Sequence, residues 1–216
     1  MQSSWPSALL FLLTAAGAYL LGCVNGAILV SRAFYHDDVR DHGSGNAGLT
    51  NYYRSYGARF VAAVIAVDAL KTVAAVLFAR AILGALPFPR LSVSLVAGLF
   101  CVLGHIFPIF EDFRGGKAVL CCATLTLLLD WRVALVFWGL FWLVLALTHY
   151  VSLGSVTAAV GFAISCALVG RCAEVIVPAA LIAGLIVWAH RTNIRRLLSG
   201  TESRFSFRRR PPEDKS

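Results

Sequence analysis

Charge is what this sequence has least of. Only 14% of its 216 residues are Asp, Glu, Lys or Arg, and 59% are hydrophobic. A water-soluble domain carries roughly a quarter of its residues as charged side chains. The shortage excludes an ordinary soluble protein and, with a mean hydropathy of +0.77, indicates that lipid covers most of the surface. A separate soluble catalytic domain does not fit, because each membrane crossing takes about 20 apolar residues.

The sequence also lacks any spacing of His, Cys, Asp or Glu that is typical of a metal site. Its six cysteines are scattered in or beside apolar runs, so we interpret them as small buried side chains. We therefore expect no metal and no cofactor. The first ten residues contain no Lys or Arg, so the basic start of a signal peptide is missing and the first apolar run is expected to be retained.

Apolar runs predict an all-α membrane protein with seven transmembrane helices. Residues 1–202 are expected to form a single polytopic membrane domain, and residues 203–216 a basic, disordered tail that touches anionic lipid. The seven runs cover residues 8–30, 60–84, 91–110, 118–130, 133–148, 155–170 and 174–190.

Lysine and arginine are distributed unevenly between the loops. With seven spans, fourteen of them fall on one side of the membrane, four on the other, and Lys71 lies inside the second run. Because the side rich in Lys and Arg faces the cytoplasm, we expect the N-terminus outside and the C-terminus in the cytoplasm. Anionic lipid explains the net charge of +8, so no nucleic acid partner is expected.

A glycine-rich polar segment separates the first two apolar runs. Glycines let the backbone turn so that several N–H groups point at one anion, and the hydroxyl and amide side chains add further donors. The guanidinium of Arg54 matches phosphate oxygens. The alternative is a flexible linker, although a linker rarely carries so many kinds of donor. The segment predicts a phosphate site formed with Arg54 by Gly43, Ser44, Gly45, Asn46, Gly48, Thr50 and Asn51.

The loop after the third run carries His105 and then Gly115, Gly116 and Lys117. Gly-Gly-Lys at the start of a helix resembles a minimal phosphate cradle, in which backbone N–H groups, a lysine charge and a helix N-terminus act together. Alone the tripeptide is a weak signal, because lysine at a membrane boundary often marks only topology. Beside the glycine-rich segment it favours substrate binding. His105 either binds substrate or only anchors the interface.

Further polar groups follow the fifth and seventh runs. Ser152 either caps a helix or contacts substrate. His190 and Asn193 are three residues apart and therefore share a helix face. Such a pair can orient a hydroxyl or hold a substrate, and the alternative is an ordinary polar helix end.

Two pairs of ionisable residues have competing interpretations. Asp68 and Lys71 lie three residues apart inside the second run, where an ionisable pair favours function and structural pairing is the alternative. His36 and Asp41 have the His-x4-Asp spacing of acyl-CoA-dependent glycerolipid acyltransferases, but the other residues of that motif are missing. We interpret the acidic cluster of Asp37, Asp38 and Asp41 as solvated or helix-capping.

Three motifs together resemble one family. They are GSGNAGLTN followed by Arg54, GHIFPIF with FRGGK, and HRTNIRRLLSGTE at 190–202. Through them the chain resembles, nearly end to end, the PlsY-type acyl-phosphate:glycerol-3-phosphate acyltransferases of bacteria. The resemblance implies a multi-pass protein of the cell membrane (the inner membrane of a Gram-negative source), with seven helices and the active site at the cytoplasmic face.

The resemblance also implies the chemistry. The substrates would be a fatty acyl phosphate and glycerol 3-phosphate, and the products would be lysophosphatidic acid and phosphate. A functional partner would be an enzyme that produces the acyl phosphate. We expect Ser44, His190 and Asn193 to be catalytic. The residues expected to bind substrate are Gly43, Gly45, Asn46, Gly48, Thr50, Asn51, Arg54, His105, Gly115, Gly116, Lys117 and Ser152. The rival functions are an anion transporter, although no internal repeat is visible, and an acyl-CoA-dependent acyltransferase that uses His36 and Asp41.

The chain departs from the family pattern at four positions. Ala118 replaces the glycine that usually follows Gly-Gly-Lys, and His149 replaces the arginine before Tyr-Val-Ser-Leu. Asn25 stands where proline is common, and Thr72 where the second run usually has glycine. These changes affect loop geometry and one positive charge, but they leave the candidate donors in place.

Overall fold

The computed structural model describes residues 5–205, and this part of the chain is helical without a strand. Short 3₁₀ turns at Val39–Asp41 and Ile109–Glu111 lie in two of the loops. The ten α-helices are α1 (Trp5–Cys23), α2 (Gly26–Tyr35), α3 (Leu49–Tyr56), α4 (Val61–Leu83), α5 (Arg90–Ile106), α6 (Val119–Leu129), α7 (Trp131–Thr148), α8 (Val151–Gly170), α9 (Ala173–Ala189) and α10 (Arg191–Leu198).

Helices occupy all seven predicted apolar runs, but fewer than seven are long enough to cross a membrane alone. In the described range five segments are long and apolar enough, and α9 with α10, bent by 57°, would make a sixth. Helix α6 has 11 residues, so it is only about 16 Å long against a hydrocarbon core of about 30 Å. The all-α fold with several spans is confirmed, whereas the count of seven and the orientation of the termini stay predictions.

The first apolar run is broken between α1 and α2. The side chain of Asn25 caps α2 by accepting hydrogen bonds from the N–H groups of Ala27 and Ile28. Its amide nitrogen also donates to the carbonyl of Ala47, at 3.0 Å, in the glycine-rich segment. The residue that departs from the family's proline therefore joins the break to the loop that follows it.

Helix α5 is the centre of the bundle and packs against α1, α4, α6 and α9. Its backbone lies directly on that of α1. A methyl group added at Gly104 would lie 2.1 Å from the carbonyl oxygen of Tyr19, and one at Gly22 would lie 2.3 Å from that of Cys101. Only glycine permits this approach, which fixes where the loop after α5 emerges.

Helix α6 lies between α4 and α7, and both pack against it. Because α6 is shorter than its two neighbours, a gap remains between them at the end where α6 begins. At the far end of the bundle, Arg80 of α4 donates to the Ser94 hydroxyl at 3.0 Å and to the Leu128 carbonyl at 2.7 Å. The arginine therefore binds the C-terminal end of α6, away from the gap.

Candidate active site

A cavity of about 520 Å³ opens at the end of the bundle where the polar loops meet. Its polar end is formed by the loops before α3, α6, α8 and α10. Its other side is an apolar arm that continues along α4, α6 and α7. Two residues of this arm, Ile65 and Trp142, are 38% and 53% exposed, so the arm opens sideways onto the outer surface of the helices.

Most of the predicted site residues line this one cavity. Ser44 and Asn193 are 149 residues apart in sequence, and only the folded bundle brings these polar groups together. Four predicted residues do not line it, namely Gly43, Gly45, Gly115 and Gly116. The residues that do are Ser44, Asn46, Gly48, Thr50, Asn51, Arg54, His105, Lys117, Ser152, His190 and Asn193.

Hydrogen bonds to the side chain of Asn51 fix the conformation of the glycine-rich segment. This buried amide accepts a hydrogen bond from the Ser44 N–H at 2.9 Å, and it donates to the carbonyls of Val39 and His42 at 2.9 and 3.0 Å. Gly43 and Gly45 have φ values of 57° and 67°, which glycine adopts without strain. Asn51 was predicted to bind substrate, but the structure commits its amide to holding Ser44 at the cavity.

The two glycine N–H groups of the Gly-Gly-Lys motif donate to backbone carbonyls. The N–H of Gly115 donates to Ile106 and that of Gly116 to His105, at 3.2 and 3.0 Å. These two donors close the loop onto the end of α5, and the expectation that Gly115 and Gly116 bind substrate stays a prediction. The glycines are needed for close packing, because a methyl group at Gly116 would lie 2.2 Å from His105 Nε2 and 2.4 Å from the Ala47 carbonyl.

Lys117, the third residue of the motif, lines the cavity as a half-buried cation. Burial lowers the pKa of its ammonium to about 8, with a further contribution from the nearby charge of Arg196, while Glu202 opposes the shift. Lys117 is therefore largely protonated at neutral pH and loses its charge as the pH rises past about 8. An anionic substrate would favour the charged form.

His190 is neutral at physiological pH, because burial lowers the pKa of its imidazole to about 4. Its Nδ1 lies 2.7 Å from the carbonyl oxygen of Ile186. A carbonyl only accepts, so Nδ1 carries the proton and Nε2 keeps a lone pair. His190 can therefore accept a hydrogen bond from a hydroxyl in the cavity.

Glu202 lines the cavity but is not among the residues predicted from the sequence. The residue is 8% exposed, and its carboxylate accepts hydrogen bonds of 2.7 Å from Ser152 Oγ, Asn193 Nδ2 and Arg196 Nε. Burial alone would raise the pKa of Glu202, but the hydrogen bonds from Asn193, Arg196 and Ser152 outweigh it and the pKa is lowered. A signal was present, since Glu202 is the one acid in the motif at 190–202.

The segment after Glu202 crosses the rim of the cavity. Arg54 donates to the Ser203 carbonyl at 3.3 Å, and the Phe205 N–H donates to the His149 carbonyl at 2.7 Å. Residues 203–205 are thus held by the loops, although the sequence predicted a disordered tail from 203 onward. Residues 206–216 lie outside the described residues, and the expectation for them stays a prediction.

Asn193 has one polar atom without a partner among the described residues. Its Nδ2 binds Glu202, but its buried Oδ1 accepts no hydrogen bond. An orphaned buried acceptor is costly, so it normally has a donor in the working state. Beside His190 in the same cavity, it could accept from a substrate hydroxyl.

His36 and Asp41, the pair with the spacing of acyl-CoA-dependent acyltransferases, are not part of the cavity. Both residues are exposed. Their neighbours are engaged elsewhere: Asp37 lies 2.6 Å from His42 Nε2, and Asp38 caps the turn at Val39–Asp41. The interpretation of this acidic cluster as solvated or capping fits these contacts.

A family model for glycerol-3-phosphate acyltransferase matches residues 12–200. The relative of that name from Thermoanaerobacter sp. (strain X514) is 38% identical over 192 residues, which are 89% of this chain and 94% of that protein. Glycerol-3-phosphate acyltransferase 2 of Bacillus anthracis is 39% identical over 193 residues, or 89% of this chain and 98% of that one. The match therefore covers nearly the whole of both proteins.

Two crystal structures of PlsY, an integral membrane glycerol 3-phosphate acyltransferase, share this fold. The glycerol 3-phosphate form gives a TM-score of 0.81 at 32% identity, and the lysophosphatidic acid form gives 0.78 at 31%. Each comparison covers 91% of this chain and 96% of the crystal chain.

Proposed function

The chain belongs to the glycerol-3-phosphate acyltransferase family and is an enzyme of that type, and from this premise we propose that its acyl donor is an acyl phosphate. The acyl group passes to the 1-hydroxyl of glycerol 3-phosphate, giving lysophosphatidic acid and inorganic phosphate. The cavity faces the cytoplasm, where glycerol 3-phosphate and an acyl-phosphate-producing partner enzyme are found.

The observation that carries this proposal is the joining of a cationic polar end and an apolar arm in one cavity. Arg54 and Lys117 line the polar end, and the arm opens sideways toward lipid. An acyl phosphate has this same division, with a phosphate head and a hydrocarbon tail. The tail can therefore remain in apolar surroundings while its head lies among the loops.

Positioning and charge supply most of the catalysis. An acyl phosphate is a mixed anhydride with a good leaving group, so the hydroxyl oxygen of glycerol 3-phosphate attacks the carbonyl carbon directly and no enzyme nucleophile is needed. The bond from carbonyl carbon to phosphate oxygen breaks, and phosphate leaves with the electron pair. The hydroxyl proton passes to a phosphate oxygen of a bound substrate. Cations and hydrogen-bond donors fixed in advance stabilise the transition state.

The residues divide between the two substrates. The segment Ser44–Asn51 binds the acyl phosphate head, with Ser44 oriented by Asn51. Arg54 and Lys117 hold the phosphate of glycerol 3-phosphate, and Ser152, whose proton is donated to Glu202, contacts the same substrate as an acceptor. His190 Nε2 and the orphaned oxygen of Asn193 accept from its hydroxyl groups and orient the 1-hydroxyl. Glu202 keeps Ser152 and Asn193 in place.

One assay tests the donor. The purified protein in detergent receives glycerol 3-phosphate with either an acyl phosphate or an acyl-CoA, and lysophosphatidic acid and phosphate are measured. We expect turnover with the acyl phosphate alone. Turnover with acyl-CoA alone would overturn the proposal, and phosphate flux in liposomes without turnover would favour an anion transporter.

The source of the base is tested with two variants. If a substrate phosphate accepts the proton, Ser44→Ala should abolish turnover while His190→Ala keeps a larger share of it. The opposite ranking would make His190 the base.

A further inference from the structure

Three ionisable side chains meet inside the bundle at the wall of the active-site cavity, and two of them, Asp68 and His105, line it. Asp68 and Lys71 come from α4 and His105 from α5, and their residues are 2%, 5% and 3% exposed. Lys71 Nζ lies 2.7 Å from Asp68 Oδ1 and 2.7 Å from His105 Nδ1. Asp68 Oδ1 also accepts a hydrogen bond of 3.1 Å from the Gly26 N–H.

These distances fix the tautomer of His105. An ammonium group only donates, so Nδ1 must accept from Lys71 and carries no proton. The alternative, a bond from Nδ1–H to Asp68, would span 3.7 Å, which is too long for a hydrogen bond. A neutral imidazole with an unprotonated Nδ1 carries its proton on Nε2.

His105 Nε2 lies where two phosphate-site loops touch. A methyl group on Gly116 would come within 2.2 Å of it and within 2.4 Å of the Ala47 carbonyl. Ala47 belongs to the glycine-rich segment, and His105 itself lines the cavity. The Nε2–H group is thus at the junction of this segment with the loop that bears Lys117.

We propose that Asp68 and Lys71 are positioning residues that hold His105 in the Nε2–H tautomer, so that it donates a hydrogen bond to the phosphate of the acyl donor. The inference rests on the proposed function, because it concerns that same site. Asp68 balances the charge of Lys71 inside the membrane, and Lys71 binds the ring nitrogen that faces away from the loops. Without Lys71 the ring is free to move its proton to Nδ1 and present a lone pair to an anion.

A purely structural role is the rival explanation. Lys71 also donates to the carbonyl of Val24, at the break between α1 and α2. Loss of that bond would loosen the helices without regard to the tautomer. The experiment must therefore read out the histidine and the substrate separately from stability.

The first measurement uses Lys71→Met with Arg80→Met as its matched control. Both changes remove a cation from α4, but Arg80 binds Ser94 and Leu128 at the far end of the bundle. For Lys71→Met we expect KM for the acyl phosphate to rise on the order of tenfold or more, as for a lost charge-assisted hydrogen bond. KM for glycerol 3-phosphate should change less than twofold, and Arg80→Met should change neither.

The second measurement replaces His105 with glutamine, whose amide donates near the position of Nε2 without help from Lys71. In the His105→Gln background, adding Lys71→Met should raise KM for the acyl phosphate less than threefold. An undiminished effect of Lys71→Met there would overturn the proposal, because the two residues would then act independently. A rise confined to KM for glycerol 3-phosphate would overturn the assignment to the acyl phosphate.

The tautomer itself can be observed without catalysis. In protein labelled with ¹⁵N-histidine, the ring-nitrogen resonances that vanish in His105→Gln identify His105 and show which nitrogen is protonated. We expect Nε2–H in the unaltered protein and a shift toward Nδ1–H in Lys71→Met. An unchanged spectrum in Lys71→Met would overturn the proposal even if the acyl donor proves to be an acyl phosphate. If instead the donor assay fails, this spectrum still decides the positioning role.

Discussion

Lys117 and His190 line one cavity, yet burial changes their charges in different ways. Burial lowers both pKa values, to about 8 for the lysine and about 4 for the histidine. At neutral pH the lysine is therefore still mostly charged and the histidine is uncharged. A site for a phosphate and a neighbouring hydroxyl needs this combination of a cation and a neutral acceptor.

The lowered pKa of Lys117 predicts an alkaline limit to activity. As the pH rises past about 8 the ammonium loses its proton, so kcat/KM for glycerol 3-phosphate should fall, by up to about tenfold per pH unit. Lys117→Arg keeps its charge over this range, so its profile should stay flat to a higher pH. An identical fall in Lys117→Arg would assign the titration to another group. The measurement is kcat/KM between pH 6.5 and 9.5.

For individual residues, the sequence predicts which side chains lie together at the site, but not which group each of them contacts. Residue types and motif order were enough to place Ser44, Lys117 and His190 at one site. The N–H groups of Gly115 and Gly116 donate to carbonyls at the end of α5, and that contact depends on how close α5 comes to the loop. Glu202 was missed because its contacts require the chain to fold back on itself after α10 and to meet Ser152, which lies 50 residues away on α8.

Two of the four loops at the polar end of the cavity touch each other directly, namely the loop before α3 and the loop before α6. Gly116 of one loop lies against Ala47 of the other and against His105. No side chain stands between the loops at this contact, and Arg40 of the first loop also donates to the carbonyls of Glu111 and Arg114 in the second. The distance between the two loops is therefore fixed. A change at this contact should therefore disturb substrate binding through geometry rather than through a lost donor.

Gly116→Ala tests this contact. The added methyl group would collide with His105 Nε2 and the Ala47 carbonyl, so we expect kcat/KM to fall at least tenfold and the unfolding temperature to drop. Overpacking of this kind costs roughly 1–3 kcal/mol. Gly139→Ala is the matched control, since nothing lies within 4 Å of the added methyl group. Normal kinetics in Gly116→Ala would show that the loops can separate without loss.

The elements themselves were largely predictable, because hydropathy is a local property of the chain. The run at 60–84 became Val61–Leu83, and the run at 174–190 became Ala173–Ala189. The break at Asn25 was not predicted within the run at 8–30. Its cause is partly tertiary, since Asp68 binds the Gly26 N–H there and Asn25 reaches Ala47.

At the scale of the whole molecule, the short helix α6 determines the shape of the cavity. Ala123 of α6 and Phe137 of α7 line its apolar arm far from the polar end, together with Trp138. From Leu145 to Phe137 the arm follows α7 for eight residues, or about 12 Å. The end of the arm should therefore limit the length of the acyl chain.

Trp138→Ala should lengthen the arm and shift the preferred acyl chain by two or more carbons. Leu135→Ala on the same helix is the control, because Leu135 is 65% exposed and does not line the cavity. The measurement is the product distribution from an equal mixture of acyl phosphates, read by mass spectrometry. If Trp138→Ala leaves the distribution as it is in the unaltered protein, the arm does not select chain length.

The sequence predicts that the polar loops lie at one end of the bundle, because the loops that follow the first, third, fifth and seventh spans emerge on the same side of a membrane. The structure has them at one end, although its helices include one too short to cross and a last pair bent by 57°. Counting apolar runs therefore gives the correct grouping without giving the number of crossings. Which side of the membrane this end faces depends on the Lys and Arg distribution and stays a prediction.

The sideways opening of the arm determines how the enzyme meets its lipid substrate. A donor dissolved in the bilayer arrives by two-dimensional diffusion, and the lysophosphatidic acid can leave by the same path without passing through water. The rate should then follow the mole fraction of donor in the membrane rather than its amount per volume of solution. Diluting the bilayer with inert lipid would slow the reaction even when the total amounts of enzyme and donor stay constant.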